Sequence, residues 1–195
     1  MQHTIVMTGA SRGIGRIAAE RILRQSPDAH LLVVARGSSG APLAAELREG
    51  GHAVSHVEAD LGSLESVRSA ATDIRDRLER GDLPPLRGFV GNAGMQFTNA
   101  LTEGPDGLES TFTVNVLANH VFVRLLEDRE RASLIVTSNK PFGRWGEVFG
   151  DDVVAAAMID RLVHHAEVIS LKGDSCRLKN RGLGRVPAAN PSNDQ

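Results

Sequence analysis

The stretch Thr8-Gly9-Ala10-Ser11-Arg12-Gly13-Ile14-Gly15 decides how the chain is expected to fold. It follows a short β-branched run, Thr4 to Thr8, and opens a segment, Gly13 to Gln25, in which apolar residues recur at helical spacing. A glycine turn between strand and helix leaves backbone N–H groups and the positive end of the helix dipole free to hold a pyrophosphate. An ordinary turn is the alternative, but the position after the first strand favours a dinucleotide site.

Beyond this turn, strand-like and helix-like segments alternate, which predicts an α/β fold with a doubly wound parallel sheet of the Rossmann type. The further predicted strands are Leu31 to Ala35, Ala53 to Val57, Leu86 to Val90 and Ala132 to Thr137. The predicted helices are Gly13 to Gln25, Pro42 to Glu49, Leu64 to Arg80 and Gly107 to Leu126. The first is expected to bury Ile14, Ile17, Ala18 and Ile22, and Ser63 is expected to be the N-cap of the third.

The character of the chain changes after Ser138. A loop from Lys140 to Gly150 precedes a predicted helix, Asp152 to Val168, which the Asp151-Asp152 pair starts and which carries Val154, Met158 and Leu162 at i, i+4 spacing. A hairpin is predicted with strands Ile169 to Leu171 and Ser175 to Leu178, and the Gly, Pro and Asn-rich end, Gly182 to Gln195, is predicted to fray. We therefore expect an incomplete, truncated Rossmann-type domain over residues 1–138 and a helical, irregular extension over 139–195.

Composition narrows the classes of function. The 195 residues carry a formal net charge of -2, which argues against nucleic acid as the main partner of the whole chain. The single cysteine, Cys176, excludes an internal disulfide and favours a reducing compartment. No signal-peptide pattern or membrane-length apolar stretch occurs, so a cytoplasmic protein that does not span a membrane is expected. The chain contains no tyrosine.

Four motifs occur in order along the chain: the glycine loop, Asp60-Leu61 after the third predicted strand, Asn92-Ala93-Gly94 after the fourth, and Asn115 in the following helix. Taken together, these motifs resemble those of the short-chain dehydrogenase/reductase family. The resemblance implies that Gly9, Ser11, Arg12, Gly13, Ile14 and Gly15 hold the pyrophosphate, that Asp60 and Leu61 contact the adenine, and that Asn92, Ala93 and Gly94 line the nucleotide. Taken alone, Asp60 could be a helix N-terminal acid and Asn92 a strand-end turn residue.

The sequence favours NADP(H) over NAD(H) as the cofactor. Enzymes that bind the ribose 2′-hydroxyl of NAD usually place Asp or Glu after the second strand, whereas a 2′-phosphate calls for arginine. Here that position is Arg36, and Arg12 lies within the glycine loop. A guanidinium can form paired hydrogen bonds with phosphate oxygens, although a solvated surface arginine remains the alternative for Arg36.

The family resemblance fails at the catalytic residues. In the family a tyrosine transfers the proton, a nearby lysine raises its acidity, a serine polarises the carbonyl, and an asparagine holds a proton-relay water. Asn115 matches that asparagine and Ser138 falls where the serine would be, but the Tyr-x-x-x-Lys pair is missing. We therefore expect a carbonyl/alcohol oxidoreductase by descent that has little or no turnover, because acid–base help contributes about 10²–10⁴-fold in rate.

The last third of the chain resembles a different family, the IstB-like ATP-binding proteins of insertion sequences. The matching runs are Arg131 to Glu147, Asp160 to Glu167 and Lys172 to Ser175. The resemblance makes Asn139 the counterpart of a γ-phosphate sensor, but no phosphate loop of the form G-x-x-x-x-G-K-[ST] is present, so ATP hydrolysis is not expected. We interpret the chain as a fusion in which Ala132 to Thr137 takes the place of the fifth reductase strand and Ser138 matches by coincidence.

Three other features were weighed. His164 and His165 point to different helix faces, which favours a solvated surface over a metal site. The basic segment formed by Lys172, Arg177, Lys179, Arg181 and Arg185 makes an insertion-sequence accessory fragment that interacts with DNA the alternative function. Cys176 has no apparent catalytic partner. The substrate and the oligomeric state stay open, because the residues that would shape a substrate pocket come from the second parent.

Overall fold

The computed structural model of the chain describes residues 1–96, 101–126, 135, 137, 140–164 and 167–170. The chain divides into two compact units, Met1–Ser133 and Leu134–Gln195. The first unit contains a four-stranded parallel sheet in the order β3-β2-β1-β4, built from β1 (His3–Thr8), β2 (Ala29–Ala35), β3 (Val54–Glu58) and β4 (Leu86–Gly91). The sheet confirms the predicted fold class and the first four predicted strands.

Helices cover both faces of this sheet, as a doubly wound fold requires. They are α1 (Gly13–Gln25), α2 (Gly40–Glu49), α3 (Leu64–Glu79), the single turn α4 (Ser110–Phe112), a π-helical turn (Thr113–Leu117) and α5 (Ala118–Leu126). The fully buried strand β2 divides the core, since Leu32 and Val34 face α3 and α5 while Leu31 and Val33 face α1 and α2. A continuous apolar strand of this kind is typical of parallel sheets buried on both faces.

Helix α1 begins and ends where the sequence predicted, and Ala18 and Ile22 of its predicted buried face pack against the core, whereas Ile14 and Ile17 do not. Ile14 and Ile17 are 74% and 64% exposed, whereas Gly15, Ala19 and Leu23 are buried. The prediction followed the largest apolar side chains. In its N-terminal half the helix instead turns the small residues Gly15 and Ala19 towards the sheet, which lets its backbone approach β1 and the following turn closely.

Side-chain caps fix the starts of two other helices in this unit. Ser63 Oγ accepts from the Ser66 N–H at 3.3 Å, which confirms the predicted N-cap of α3, and Asp106 Oδ2 accepts from the Leu64 N–H at 2.7 Å. The helix predicted from Gly107 begins only at Ser110, since Gly107 has φ +69° and the Glu109 carboxylate accepts from the two N–H groups of Thr111 and Phe112. The backbone N–H of Phe112 is the main cause that lowers the pKa of Glu109.

The second unit contains a 3₁₀ turn (Phe142–Arg144), α6 (Gly146–Phe149) and α7 (Asp152–Val163). Trp145 contacts Phe142 and Phe149 and donates from Nε1 to the Lys140 carbonyl at 3.1 Å. The predicted start of α7 is confirmed by Asp151, whose carboxylate accepts from the N–H groups of Val153 and Val154, but the helix ends at Val163 rather than Val168.

Several predictions for the C-terminal part fall outside the described residues. The predicted fifth strand, Ala132 to Thr137, is described only at Ile135 and Thr137, neither of which carries regular structure. Of the predicted hairpin only Ile169 and Ser170 are described, again without regular structure, and the end from Gly182 onward is not described.

Candidate functional site

The candidate site lies where the chain reverses its direction of travel across the sheet. From β1 the chain moves outward through β2 to β3, and then returns to place β4 on the other side of β1. The loops after β1 and β4 therefore leave neighbouring strands in opposite directions and open a crevice at the carboxyl ends of those strands. Residues 9–12 and 92–96 form these loops.

The glycines of the first loop are required by close backbone approach. Gly9 and Gly13 have φ of +69° and +58°, which side chains rarely adopt. A Cβ atom on Gly9 would lie 2.7 Å from Cα of Ala93, and one on Gly15 would collide with the Gly9 carbonyl oxygen and with Nδ2 of Asn92. The loop therefore folds tightly against the loop after β4, and the predicted contacts of Gly9, Ser11, Arg12, Gly13, Ile14 and Gly15 with a pyrophosphate stay predictions.

The N-terminus of α1 has no side-chain cap. Arg12 occupies the N-cap position in an extended conformation without a side-chain hydrogen bond, and the first turn holds no acidic residue. By contrast α3, α4 and α7 are capped by Ser63, Glu109 and Asp151. The first N–H groups of α1 are thus left for an external acceptor, and an anion suits the positive end of the helix dipole.

Thr8 ties the two loops together, and the sequence reasoning did not assign it a role. Its buried Oγ1 accepts from the N–H groups of Asn92 and Ala93 at 3.1 and 3.0 Å, while Asn92 Nδ2 donates to the Gly9 carbonyl at 3.0 Å. A polar residue that follows the apolar run Ile5 to Met7 at the carboxyl end of the strand was the available signal.

Replacing Thr8 with valine is expected to destabilise this junction. Valine keeps the shape of threonine but removes the acceptor of two backbone N–H groups, and unsatisfied groups cost about 1–3 kcal/mol each when they are buried. Because the loop after β4 is partly exposed, we expect a loss of about 1–3 kcal/mol in total, measured by chemical denaturation. Thr8→Ser is the matched control and retains most of the stability; an unchanged free energy of unfolding in Thr8→Val would contradict the assigned role.

Two arginines of the site carry unpaired charge. Arg12 and Arg36 are exposed or partly exposed, and no hydrogen bond or ion pair involves their side chains within the described part of the chain. Arg16 differs because its guanidinium donates hydrogen bonds to Glu46 and Glu20. These hydrogen bonds raise the pKa of Arg16, and the bonds to Glu46 raise it most. Arg36 follows β2 directly, at the same edge of the sheet as the glycine loop.

The adenine-side residues are placed differently from each other. Asp60 is exposed, accepts from the Gly62 N–H through Oδ1 at 3.0 Å, and donates its own N–H to Ser66 Oγ. Leu61 is 8% exposed and packs in the core on the α3 side of the sheet. The predicted contacts of Asp60 and Leu61 with adenine stay predictions.

Asn115 fastens the loop after β4 to the long helix. Its Oδ1 accepts from the Met95 N–H at 2.9 Å and its Nδ2 donates to the Met95 carbonyl at 2.7 Å. It lies in the π-helical turn, and its own carbonyl accepts from Asn119 Nδ2 at 2.9 Å. Its catalytic role stays a prediction, as does that of Ser138, which lies outside the described residues together with Asn139.

Two other kinds of site were sought in the part of the chain that the structure describes. No group of three or more His, Cys, Asp or Glu side chains is placed to hold a metal ion there. Within the same residues, none of the helices combines the length and the apolar character needed to cross a membrane.

The sheet order and the glycine crevice agree with comparisons against known families. Residues 3–140 match the short chain dehydrogenase family, which is more than half of the chain. The chain belongs to the short-chain dehydrogenase family. Residues 113–184 also match the IstB-like ATP binding protein family, so the two matches overlap and the short-chain dehydrogenase part is fused to an IstB-like part.

Individual relatives show the same division. A protein of Streptomyces sp. (strain C5) described as the daunorubicin C-13 ketoreductase DnrU is 35% identical over 154 residues, 77% of this chain and 50% of its own. The short-chain dehydrogenase iccH of Talaromyces variabilis is 36% identical over 64% of this chain and 36% of its own. An IS21 insertion-sequence ATP-binding protein of Pseudomonas aeruginosa is 55% identical over 71 residues, 36% of this chain and 27% of its own. The chain thus spans half or less of each.

Solved structures of short-chain dehydrogenases share the fold. The NADPH-bound carbonyl reductase from chicken fatty liver superposes with a TM-score of 0.51 at 21% identity, over 65% of this chain and 51% of its own. The alcohol dehydrogenase of the archaeon Thermococcus sibiricus, complexed with 5-hydroxy-NADP, has a TM-score of 0.52 at 27% identity, over 65% of this chain and 52% of its own.

Proposed function

We propose that this short-chain dehydrogenase segment binds NADP(H) and has little or no carbonyl or alcohol oxidoreductase turnover. The observation that carries the proposal is the uncapped N-terminus of α1, held open by Gly9 and Gly15 against the loop after β4. Backbone N–H groups and the helix dipole in this position suit a pyrophosphate. The alcohol dehydrogenase of Thermococcus sibiricus, which shares the fold, is complexed with 5-hydroxy-NADP.

The preference for the 2′-phosphate rests on Arg36 and Arg12. Both side chains lack partners among the described residues, and neither is neutralised by a nearby carboxylate as Arg16 is by Glu46 and Glu20. A free guanidinium at the end of β2 complements a phosphate dianion and offers no acceptor for a ribose hydroxyl. NADP(H) is therefore the favoured cofactor and NAD(H) the weaker one.

Replacing Arg36 with alanine is expected to weaken NADPH binding by roughly 10- to 100-fold, since hydrogen bonds to charged groups contribute about 1.5–3 kcal/mol. NADH binding should change little, because NADH has no 2′-phosphate. The measurement is a titration followed by nicotinamide fluorescence with both cofactors. Arg21→Ala, an exposed arginine of α1, serves as the control. Equal losses for NADPH and NADH, or none for either, would refute the specificity role of Arg36.

The tyrosine and the lysine of the family's catalytic set are missing from this chain. No tyrosine occurs, and no lysine lies between Lys140 and Lys172, so neither member of the Tyr-x-x-x-Lys pair can be supplied. Asn115 can still order the loop after β4 through Met95, which makes it a positioning residue for the nucleotide. The proposal is therefore a binding protein of reductase descent, with its substrate class left open.

A second candidate function follows from the IstB-like match. The 55% identity to the Pseudomonas aeruginosa insertion-sequence protein lies in the C-terminal third, which also carries the basic segment from Lys172 to Arg185. Salt-sensitive DNA binding that is lost when the residues after Asp151 are removed would support an accessory role in DNA interaction. DNA binding that survives this truncation, or no binding by the full chain, would exclude it.

A further inference from the structure

A serine and a histidine form a pair on the neighbouring strands β2 and β3, outside the two loops of the nucleotide crevice. His30 is the second residue of β2 and Ser55 the second of β3, whereas the glycine loop follows the carboxyl end of β1. His30 Nε2 and Ser55 Oγ lie 2.8 Å apart. Both side chains are partly buried, so the pair is shielded from bulk water without being sealed.

Ser55 opens into a cleft between the edge of the sheet and α3. The cleft has a volume of about 530 Å³, and the residues lining it include Arg48, Ser55, His56, Ser69, Asp73 and Arg77. The Arg77 guanidinium forms an ion pair with the Asp73 carboxylate, with 2.7 Å between the nitrogen and Oδ2. With Glu58 also in the wall, two arginines face two carboxylates, so the cleft carries no net charge and suits a small neutral molecule.

The protonation of His30 suits a general base. Burial lowers the pKa of its imidazole below the ordinary value of 6.5, which keeps the ring neutral at neutral pH. In the tautomer with its proton on Nδ1, Nε2 accepts the Ser55 O–H and can take that proton as the oxygen attacks. A nucleophile within hydrogen-bond reach of a neutral imidazole is the arrangement that activates a serine.

The outer edge of β3 supplies donors for an oxyanion. The Ala53 carbonyl accepts from the Leu31 N–H and the Ala59 N–H donates to the Ala35 carbonyl, so residues 53, 55, 57 and 59 face β2. The intervening N–H groups, including that of His56 directly after the nucleophile, face away from β2. No described residue accepts a hydrogen bond from the His56 N–H, which is therefore placed to stabilise negative charge beside Ser55.

We propose that Ser55 and His30 form a nucleophile and base pair that accepts acyl groups from small neutral esters bound in this cleft. Ser55 Oγ forms the bond to the carbonyl carbon while its proton passes to His30 Nε2. The bond from the carbonyl carbon to the ester oxygen breaks, and the departing alkoxide takes the proton from His30. Water then attacks the acyl-serine, gives one proton through His30 to Ser55 Oγ, and releases the carboxylic acid.

The experiment treats the full-length wild-type chain with a fluorophosphonate probe, which reacts with activated serines, and locates the adduct by mass spectrometry. The proposal expects one adduct per chain, on Ser55, and a slow release of nitrophenol from p-nitrophenyl acetate. An unlabelled Ser55, or equal labelling of Ser69 in the same cleft, would overturn it. Neither outcome requires nucleotide binding, because the labelling is done without NADP(H) and the residues that line the cleft belong to neither the glycine loop nor the loop after β4.

Matched variants test whether Ser55 is labelled because His30 activates it or only because its side chain is accessible. His30→Gln should slow the labelling of Ser55 by about 10²–10⁴-fold, the usual effect of a general base, whereas His52→Gln, at a histidine that does not line the cleft, should leave it unchanged. Circular dichroism and NADPH binding report whether each variant is folded. Labelling of folded His30→Gln at the wild-type rate would show that the histidine does not act; if that variant does not fold, the position of the wild-type adduct decides.

Discussion

Replacing Gly15 with alanine is expected to weaken NADPH binding by roughly 100-fold. The new Cβ would collide with the Gly9 carbonyl oxygen and Asn92 Nδ2, so the turn that presents the α1 N–H groups has to open. Overpacking costs about 1–3 kcal/mol, and because one opposing atom is backbone we expect the upper end, a loss of roughly 100-fold in affinity. The measurement is the dissociation constant for NADPH, with the melting temperature of the unliganded chain recorded beside it.

Gly88→Ala is the control for this experiment. Gly88 lies in β4, and a Cβ built there meets nothing within 4 Å, so the same chemical change is made without crowding. NADPH binding should be retained in that variant. Wild-type affinity in Gly15→Ala would mean that the glycine loop does not hold the cofactor.

A second large effect is expected on the rate of carbonyl reduction. We expect the wild-type chain to bind NADPH yet reduce carbonyl compounds about 10²–10⁴-fold more slowly than a complete short-chain dehydrogenase, because the chain has no tyrosine to transfer the proton. Oxidation of NADPH, followed by nicotinamide absorbance with a panel of aldehydes and ketones, measures this rate.

A saturation control makes the kinetic result interpretable. NADPH occupancy is measured in the same solution, so that slow turnover is not confused with weak binding. Turnover within tenfold of a complete family member, at full occupancy, would show that another group replaces the missing tyrosine.

Local signals in the sequence were sufficient for much of the fold. The bounds of α1, the capping roles of Ser63 and Asp151, and the first four strands within a few residues all follow from short-range patterns. The sequence did not show which face of α1 is buried, because Ile14 and Ile17 recur at helical spacing just as Gly15 and Ala19 do. Only the close approach of the helix to the sheet selects the small residues.

The sequence analysis identified the glycines of the candidate site but missed the hydrogen bonds that join its two loops. The glycines are recognisable because a tight turn requires them, whereas the hydrogen bonds of Thr8 to the loop after β4 join residues more than 80 positions apart. Asp106, which caps α3 from 42 residues away, was missed for the same reason. Contacts of this kind depend on the order of strands in the sheet, which no short stretch of sequence specifies.

The most direct test of nucleotide binding is a thermal unfolding titration of the wild-type chain with NADPH, NADH and ATP. A ligand that binds only the folded state stabilises it by RT ln(1 + [L]/Kd), so the melting temperature rises with the ligand's concentration and affinity. The account predicts a rise with NADPH, a smaller rise with NADH and none with ATP. An unchanged melting temperature at millimolar NADPH, or a larger rise with ATP than with NADPH, would contradict it.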